Sequence, residues 1–384
     1  MCFIYRIILG VVFTSLVSAQ SFVQINGNII MESMTNISGG IKTGKAISGV
    51  GEFGVEINHK FGQVKASTLY LNGESPSKFI GDRFGASNID GYNSFRLYEI
   101  WVEKHLLNQT LSIRFGSLIA DAEFSVNDLG GLFINSSFGW PAYISANTVN
   151  TGPAYFVTAP GIRIKQQLKE NQFFQFGIYD GDPFDHFDGD EKITAHGNHW
   201  ELSKDQGIFS IGEWVSFIGA KNLGTIKLGS WKYTSFDSSS LYYQNARDRY
   251  GFYFSSESKL KSFGSNQSIN GFFRAGWSPN SIQNTYTIAI DGGITIQNVF
   301  ESLKDDSFGI GFAFAKIPDQ VYLQSVEEIL LIPLDYECAI ECTYQFQFMN
   351  YITIQPDLQW ILHPGGSAIN ENAFVGSIRI SHSF

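Results

Sequence analysis

Apolar and polar side chains alternate with a period of two along much of this chain, and the pattern is plainest at its end. From Ala373 to Phe384, Phe374, Gly376, Ile378, Ile380, His382 and Phe384 share one face of a strand, while Ala373, Val375, Ser377, Arg379, Ser381 and Ser383 share the other. Successive strand side chains point to opposite sides. An apolar face running to a final aromatic residue, opposed by small and polar groups, suits the closing strand of a barrel with lipid outside and water inside. The dyad recurs upstream. Cys338, Ile340, Cys342, Tyr344 and Phe346 oppose Glu337, Glu341, Thr343, Gln345 and Gln347. Ile352, Ile354, Leu358, Trp360 and Leu362 oppose Thr353, Gln355, Asp357 and Gln359.

Reading this alternation against turn residues predicts sixteen strands, near 22–34, 45–58, 62–72, 94–104, 109–118, 155–168, 172–179, 207–218, 223–234, 248–257, 268–277, 285–297, 305–316, 335–347, 350–361 and 373–384. Short links at Lys60-Phe61, Leu106 to Asn108, Lys169 to Asn171 and Met349-Asn350 alternate with long ones near 73–93, 119–154, 180–206 and 317–334. Periplasmic turns and outer loops of bacterial barrels differ in this way. The expected fold is all-β: a transmembrane antiparallel β-barrel of sixteen strands, with long outer loops partly folded into the lumen.

The N-terminus agrees. One cation at Arg6, an apolar stretch from Ile7 to Val17 and the small residues Val17-Ser18-Ala19 describe a secretory signal peptide over 1–19. Residues 20–384 then form one barrel domain in the bacterial outer membrane. Cys2 precedes the apolar core, which argues against lipid attachment there. The 39 glycines and 15% aromatic content suit short strands and tight turns. A formal charge of −10 argues against nucleic acid as a partner. Cys338 and Cys342, four residues apart on one strand, are beyond disulfide reach and read as small lipid-facing residues.

Parity turns Glu99, Trp101 and Glu103 inward on the fourth strand, Arg114 on the fifth, and Arg163 and Lys165 on the sixth. Depending on where the intervening hairpin turns, Arg114 lies opposite Glu99 or Glu103. The same residues could be an ordinary lumenal salt bridge or fixed polar groups for a sugar, since hydroxyls that shed water must find new partners. The connection from Ile119 to Ala154 is too long for a mere link; folded inward it would narrow a channel. It carries Asp121, Glu123, Asn135 and Trp140. With Glu99, Trp101, Glu103, Arg114, Arg163 and Asp357 these make the expected pore lining.

The segments RLYEIWVEKHL (Arg96–Leu106), LSIRFGSLIADAEFSVNDLGGLFINSSFGWPA (Leu111–Ala142), GPAYFVTAPGIRIK (Gly152–Lys165), GIYDGDP (Gly177–Pro183) and IQPDLQWILHPGG (Ile354–Gly366) resemble the carbohydrate-selective porins of the OprB type. That resemblance implies a sixteen-stranded outer-membrane barrel facilitating diffusion of glucose and related sugars, its constriction lined by arginine and acidic groups. Arg114, Arg163, Glu99 and Glu103 match by position.

The run from Asp180 to Glu191 has acids at EF-hand-like offsets, but Phe184 stands where an oxygen ligand belongs and Asp185 where the turn glycine belongs. His186, His196 and His199 lack zinc-site spacing. No metal and no cofactor are expected, nor any enzymatic motif. Expected partners are glucose-like sugars as solutes, outer-membrane lipid, and the barrel-assembly machinery through the strand ending at Phe384; a homo-oligomer stays open. The alternatives are a general or ion-selective porin on the same fold, and a secreted glycan-binding β-sandwich.

Overall fold

The computed structural model describes residues 22–384 apart from 187–188, 191, 220–222, 237–248, 264–265, 280, 282, 301–302, 304, 320–334 and 350; the signal segment expected at 1–19 lies outside the described residues. Sixteen antiparallel strands form it: β1 (Phe22–Gly40), β2 (Gly44–His59), β3 (Gly62–Gly73), β4 (Ser94–Leu106), β5 (Leu111–Leu118), β6 (Ala159–Lys169), β7 (Gln172–Asp180), β8 (Ile208–Ile218), β9 (Gly224–Thr234), β10 (Tyr250–Phe263), β11 (Gln267–Trp277), β12 (Ile288–Gln297), β13 (Ser307–Lys316), β14 (Tyr336–Met349), β15 (Ile352–Leu362) and β16 (Glu371–Ser383). Each pairs with its sequence neighbours, and β1 pairs with β16 to close the cylinder. Among the described residues no helix is long and apolar enough to cross a membrane.

Alternation sets the two surfaces. On β16, Ile378 is 55% exposed while Val375 is fully covered. On β15, Leu358 and Trp360 face out and Gln355, Asp357 and Gln359 are buried inside. An apolar exterior around a polar interior is stable only where hydrocarbon replaces water outside. Cys338 and Cys342 are free thiols on the outward parity of β14.

Two expectations about connections are corrected. β1 runs on to Gly40 and β2 begins at Gly44, so the outer link of this pair is only 41–43. The sixth strand starts at Ala159, not 155, because Tyr155 and Phe156 leave the sheet to pack on one another, with Phe156 also against Tyr92. β4 also carries a register shift opposite Ala66 and Thr68, so that Tyr98 and Glu99 are both buried. The bulge lets Arg96 as well as Glu99, Trp101 and Glu103 point inward.

The connection between β5 and β6 folds into the lumen and supplies much of its core, including Phe124, Phe133, Ile134, Phe138, Tyr143 and Ile144. The wall makes room with lumen-facing glycines: a Cβ at Gly276 would lie 2.1 Å from the Tyr143 ring, and one at Gly311 2.8 Å from Phe133. Charged wall residues then bind the loop backbone. Glu341 accepts from the Ile134 and Asn135 amides at 2.5 and 3.0 Å. Glu213 accepts from Ser125 at 2.7 Å and Glu257 from Leu129 at 3.2 Å. Fully buried Arg274 donates to the carbonyls of Ser125, Gly139 and Ser137, with Asp291 at 2.8 Å balancing its charge. Loop polar groups inside a barrel need such partners, because an unpaired one costs roughly 1–3 kcal/mol.

Candidate functional site in the lumen

Strand register assembles the site. Glu103 on β4 stands directly opposite Arg114 on β5, which stands opposite Arg163 on β6. Of the two registers compatible with parity, the chain adopts the one that pairs Arg114 with Glu103. The inward loop adds Glu123. Arg114 reaches Glu103 at 2.6 Å and Glu123 at 2.7 Å, while Arg163 reaches Glu103 at 3.1 Å and Glu123 at 2.6 Å. Two guanidiniums thus share two carboxylates, a neutral set whose mutual attraction offsets the cost of removing each charge from water.

Neighbours fix the planes of these groups. The Arg114 guanidinium lies 3.8 Å from the centre of the Trp101 ring, a cation–π stack. Trp101 Nε1 donates to Glu99 at 3.0 Å, and Lys65 bridges Glu99 and, at 3.7 Å, Glu52. Ser112 donates to Glu103 at 2.5 Å and accepts from Arg163. Polar groups held this rigidly present donors and acceptors to a passing hydroxyl without reorganising.

A cavity of about 900 Å³ lies on the outer side, lined by Arg83, Asn88, Asp90, Tyr92, Asp121 and Trp140 among others. A second, of about 470 Å³, lies toward the short turn between β4 and β5 and takes in Glu103, Arg114, Glu123 and Arg163. Asp121 and Glu123, two residues apart on the loop, face different cavities. Burial raises the Asp121 carboxyl to about 7, Glu99 adding to the shift and the Tyr155 amide, 2.8 Å away, opposing it.

The expected lining residues fall into three places. Glu99, Trp101, Glu103, Arg114, Glu123 and Arg163 form one connected cluster. Asp121 and Trp140 lie on the outer cavity, where Trp140 Nε1 donates to Thr151 at 2.9 Å. Asn135 and Asp357 stand apart from the arginines: Asn135 donates to Gln359 at 3.0 Å, and Gln359 donates to Asp357 at 3.1 Å, so both belong to the loop's attachment on β15. Sequence reasoning missed Lys65, Arg96, Arg274 and Glu213. Parity on β8 and β11 marks Glu213 and Arg274 as inward, but only the folded loop shows what they hold.

Among the described residues no group of three His, Cys, Asp or Glu is spaced to hold a metal ion. The acids after β7 tie their own loop together and to the inward loop before β6. Asp182 accepts from Asn150 at 2.8 Å and from the Phe184 amide at 3.0 Å, and Asp185 from Gln206 at 3.1 Å. Burial raises Asp185 to about 6.

A closed sixteen-stranded barrel with an apolar belt, a polar lumen and a long loop folded into it is an outer-membrane porin. More narrowly, residues 57–384 match the sequence model of the carbohydrate-selective porin, OprB family, and the chain belongs to that family. Porin B of Pseudomonas aeruginosa is 22% identical over 327 residues, covering 76% of this chain and 68% of that protein. Among solved structures, the high-pH OprB of Pseudomonas putida superposes with a TM-score of 0.78 at 19% identity over 98% of this chain and 97% of that one. The outer membrane channel DcaP of Acinetobacter baumannii gives 0.55 at 10% identity over 96% and 98%. Identities this low show the shared fold alone.

Proposed function

We propose that this porin passes glucose and related sugars down their gradient across the bacterial outer membrane, with Glu99, Trp101, Glu103, Arg114, Glu123 and Arg163 as the contacting lining. The observation that carries this reading is the shared pairing of two arginines with Glu103 and Glu123 beside the Trp101 face, where the inward loop meets β4 to β6. A sugar leaving bulk water meets fixed donors, acceptors and an aromatic plane there. Each contact is weak, and conduction requires binding strong enough to enter and weak enough to leave. Membership of a carbohydrate-selective family supports the solute class. The same reading keeps 1–19 as a cleaved export signal and the strand ending at Phe384 as the segment the assembly machinery recognises. Purified protein in liposomes should pass glucose faster than a neutral amino acid of similar size. Equal rates would make it a general porin on the same barrel.

A further inference from the structure

The cavity below the ion cluster is more basic than the sugar reading needs. Arg114 and Arg163 are neutralised by Glu103 and Glu123, but Lys165 and Lys227, which line the same cavity, form no ion pair with a carboxylate among the described residues. Glu213 is the remaining acid of that lining; it and Glu257 on β10 attract Lys227 through space without forming an ion pair with it, so four cations of the lining face three carboxylates.

The two lysines rise from one short stretch of the inner wall, on β6 and β9. Lys165 on β6 is directly opposite Gln175 on β7, Gln175 opposite Glu213 on β8, and Lys227 on β9 opposite Val215. Three strand spacings of about 4.8 Å and an offset of two residues along the strands separate their backbones, and Lys165 leans toward Phe173, which is level with Val215 and Lys227. Between them lie Phe173 and the carboxamide of Gln175. The Lys165 ammonium sits 4.0 Å from the centre of the Phe173 ring, and Lys227 donates to the Val126 carbonyl of the inward loop. Each ammonium has three donors and no acceptor, so both keep protons to give.

We propose that this inner cavity is a binding site for saccharides that carry a carboxylate, the sugar acids, with Lys165 and Lys227 taking the carboxylate and Phe173, Gln63 and Gln175 the ring and its hydroxyls. The inference rests on the sugar-porin reading and extends its substrate class from neutral to anionic sugars. A neutral sugar leaves both ammoniums as they are, whereas a carboxylate gains charge-assisted hydrogen bonds in a partly enclosed space.

The test is single-channel recording in planar bilayers at low ionic strength, with glucose and glucuronate each titrated from the side of the short turns, on the wild type and on the Lys165→Gln/Lys227→Gln double variant. Glucuronate should block the wild type at a concentration about tenfold lower than glucose, the size of one charge-assisted hydrogen bond. The double variant should lose that advantage and keep its glucose block within about twofold, and added salt should erode the glucuronate advantage by screening. The proposal is overturned if glucuronate blocks the wild type no better than glucose, or if the double variant keeps the difference. If neither solute blocks the wild type, the sugar-porin reading falls with it. Glucose block retained by the double variant shows that the pore is intact and that any lost glucuronate block is local.

Discussion

Arg114 touches more of the proposed lining than any other side chain, meeting Glu103, Glu123 and the Trp101 face at once. Arg114→Ala removes the stack and leaves two carboxylates to Arg163 alone. Sugar affinity, read as block of single-channel current, should fall about tenfold or more, since hydrogen bonds to charged groups are worth about 1.5–3 kcal/mol. Arg379→Ala takes away bonds to Glu32 on β1 and to Asn88 in the connection before β4, and should weaken block less. Equal losses would remove Arg114 from the proposed lining. Asp121 gives a pH test. Its carboxyl is raised to about 7 by burial, so the folded chain binds the proton more tightly than the unfolded one. That contribution is complete below the ordinary carboxylate pKa of about 3.9 and is lost as pH rises toward 7. The melting temperature should therefore decline over this window, and Asp121→Asn should flatten the decline; an unaltered slope would mean that Asp121 titrates normally. Residue by residue, parity was enough to turn Glu99, Trp101, Glu103, Arg114 and Arg163 inward. It could not choose between two hairpin registers, and it said nothing of Lys65, whose partners lie on strands that pairing alone brings near.

The loop between β5 and β6 is where sequence reasoning ran out. Its length announced an inward fold, and Asp121, Glu123, Asn135 and Trp140 stood out along it. Where each of them ended depended on anchors such as Glu341, more than 200 residues away, which receives the Ile134 and Asn135 amides. Such contacts leave no local pattern, and so Asn135 went to the wall and Glu123 to the arginines. Glu341→Ala strands two loop amides at roughly 1–3 kcal/mol each and opens space beneath Phe133. Recordings of this variant should show larger open-channel current fluctuations than the wild type, with the barrel still inserting. Noise at the wild-type level would indicate that Arg274 and Glu213 hold the loop without it. The one-residue bulge at Tyr98-Glu99 was equally hidden, although it is what lets Arg96 and Glu103 share a face.

At the scale of the molecule, one repeated rule of two explains the compartment, the closure of β1 on β16 and the polarity of the lumen. The strands were legible because each alternates strongly and ends at a turn, and their boundaries moved where the sheet continues past the pattern, as in β1 and β10. A spin label at Ile378 should report a hydrocarbon environment and one at Ser377 a polar one; matching environments would contradict the barrel orientation. What the molecule is for rests on the lumen. The most direct measurement is the current through a single channel as glucose is added. A saturating block in the millimolar range, shifted to higher concentration in Arg114→Ala, is the expected result. A decline no greater than that caused by a non-sugar osmolyte of matched viscosity, unchanged by the substitution, would contradict the account.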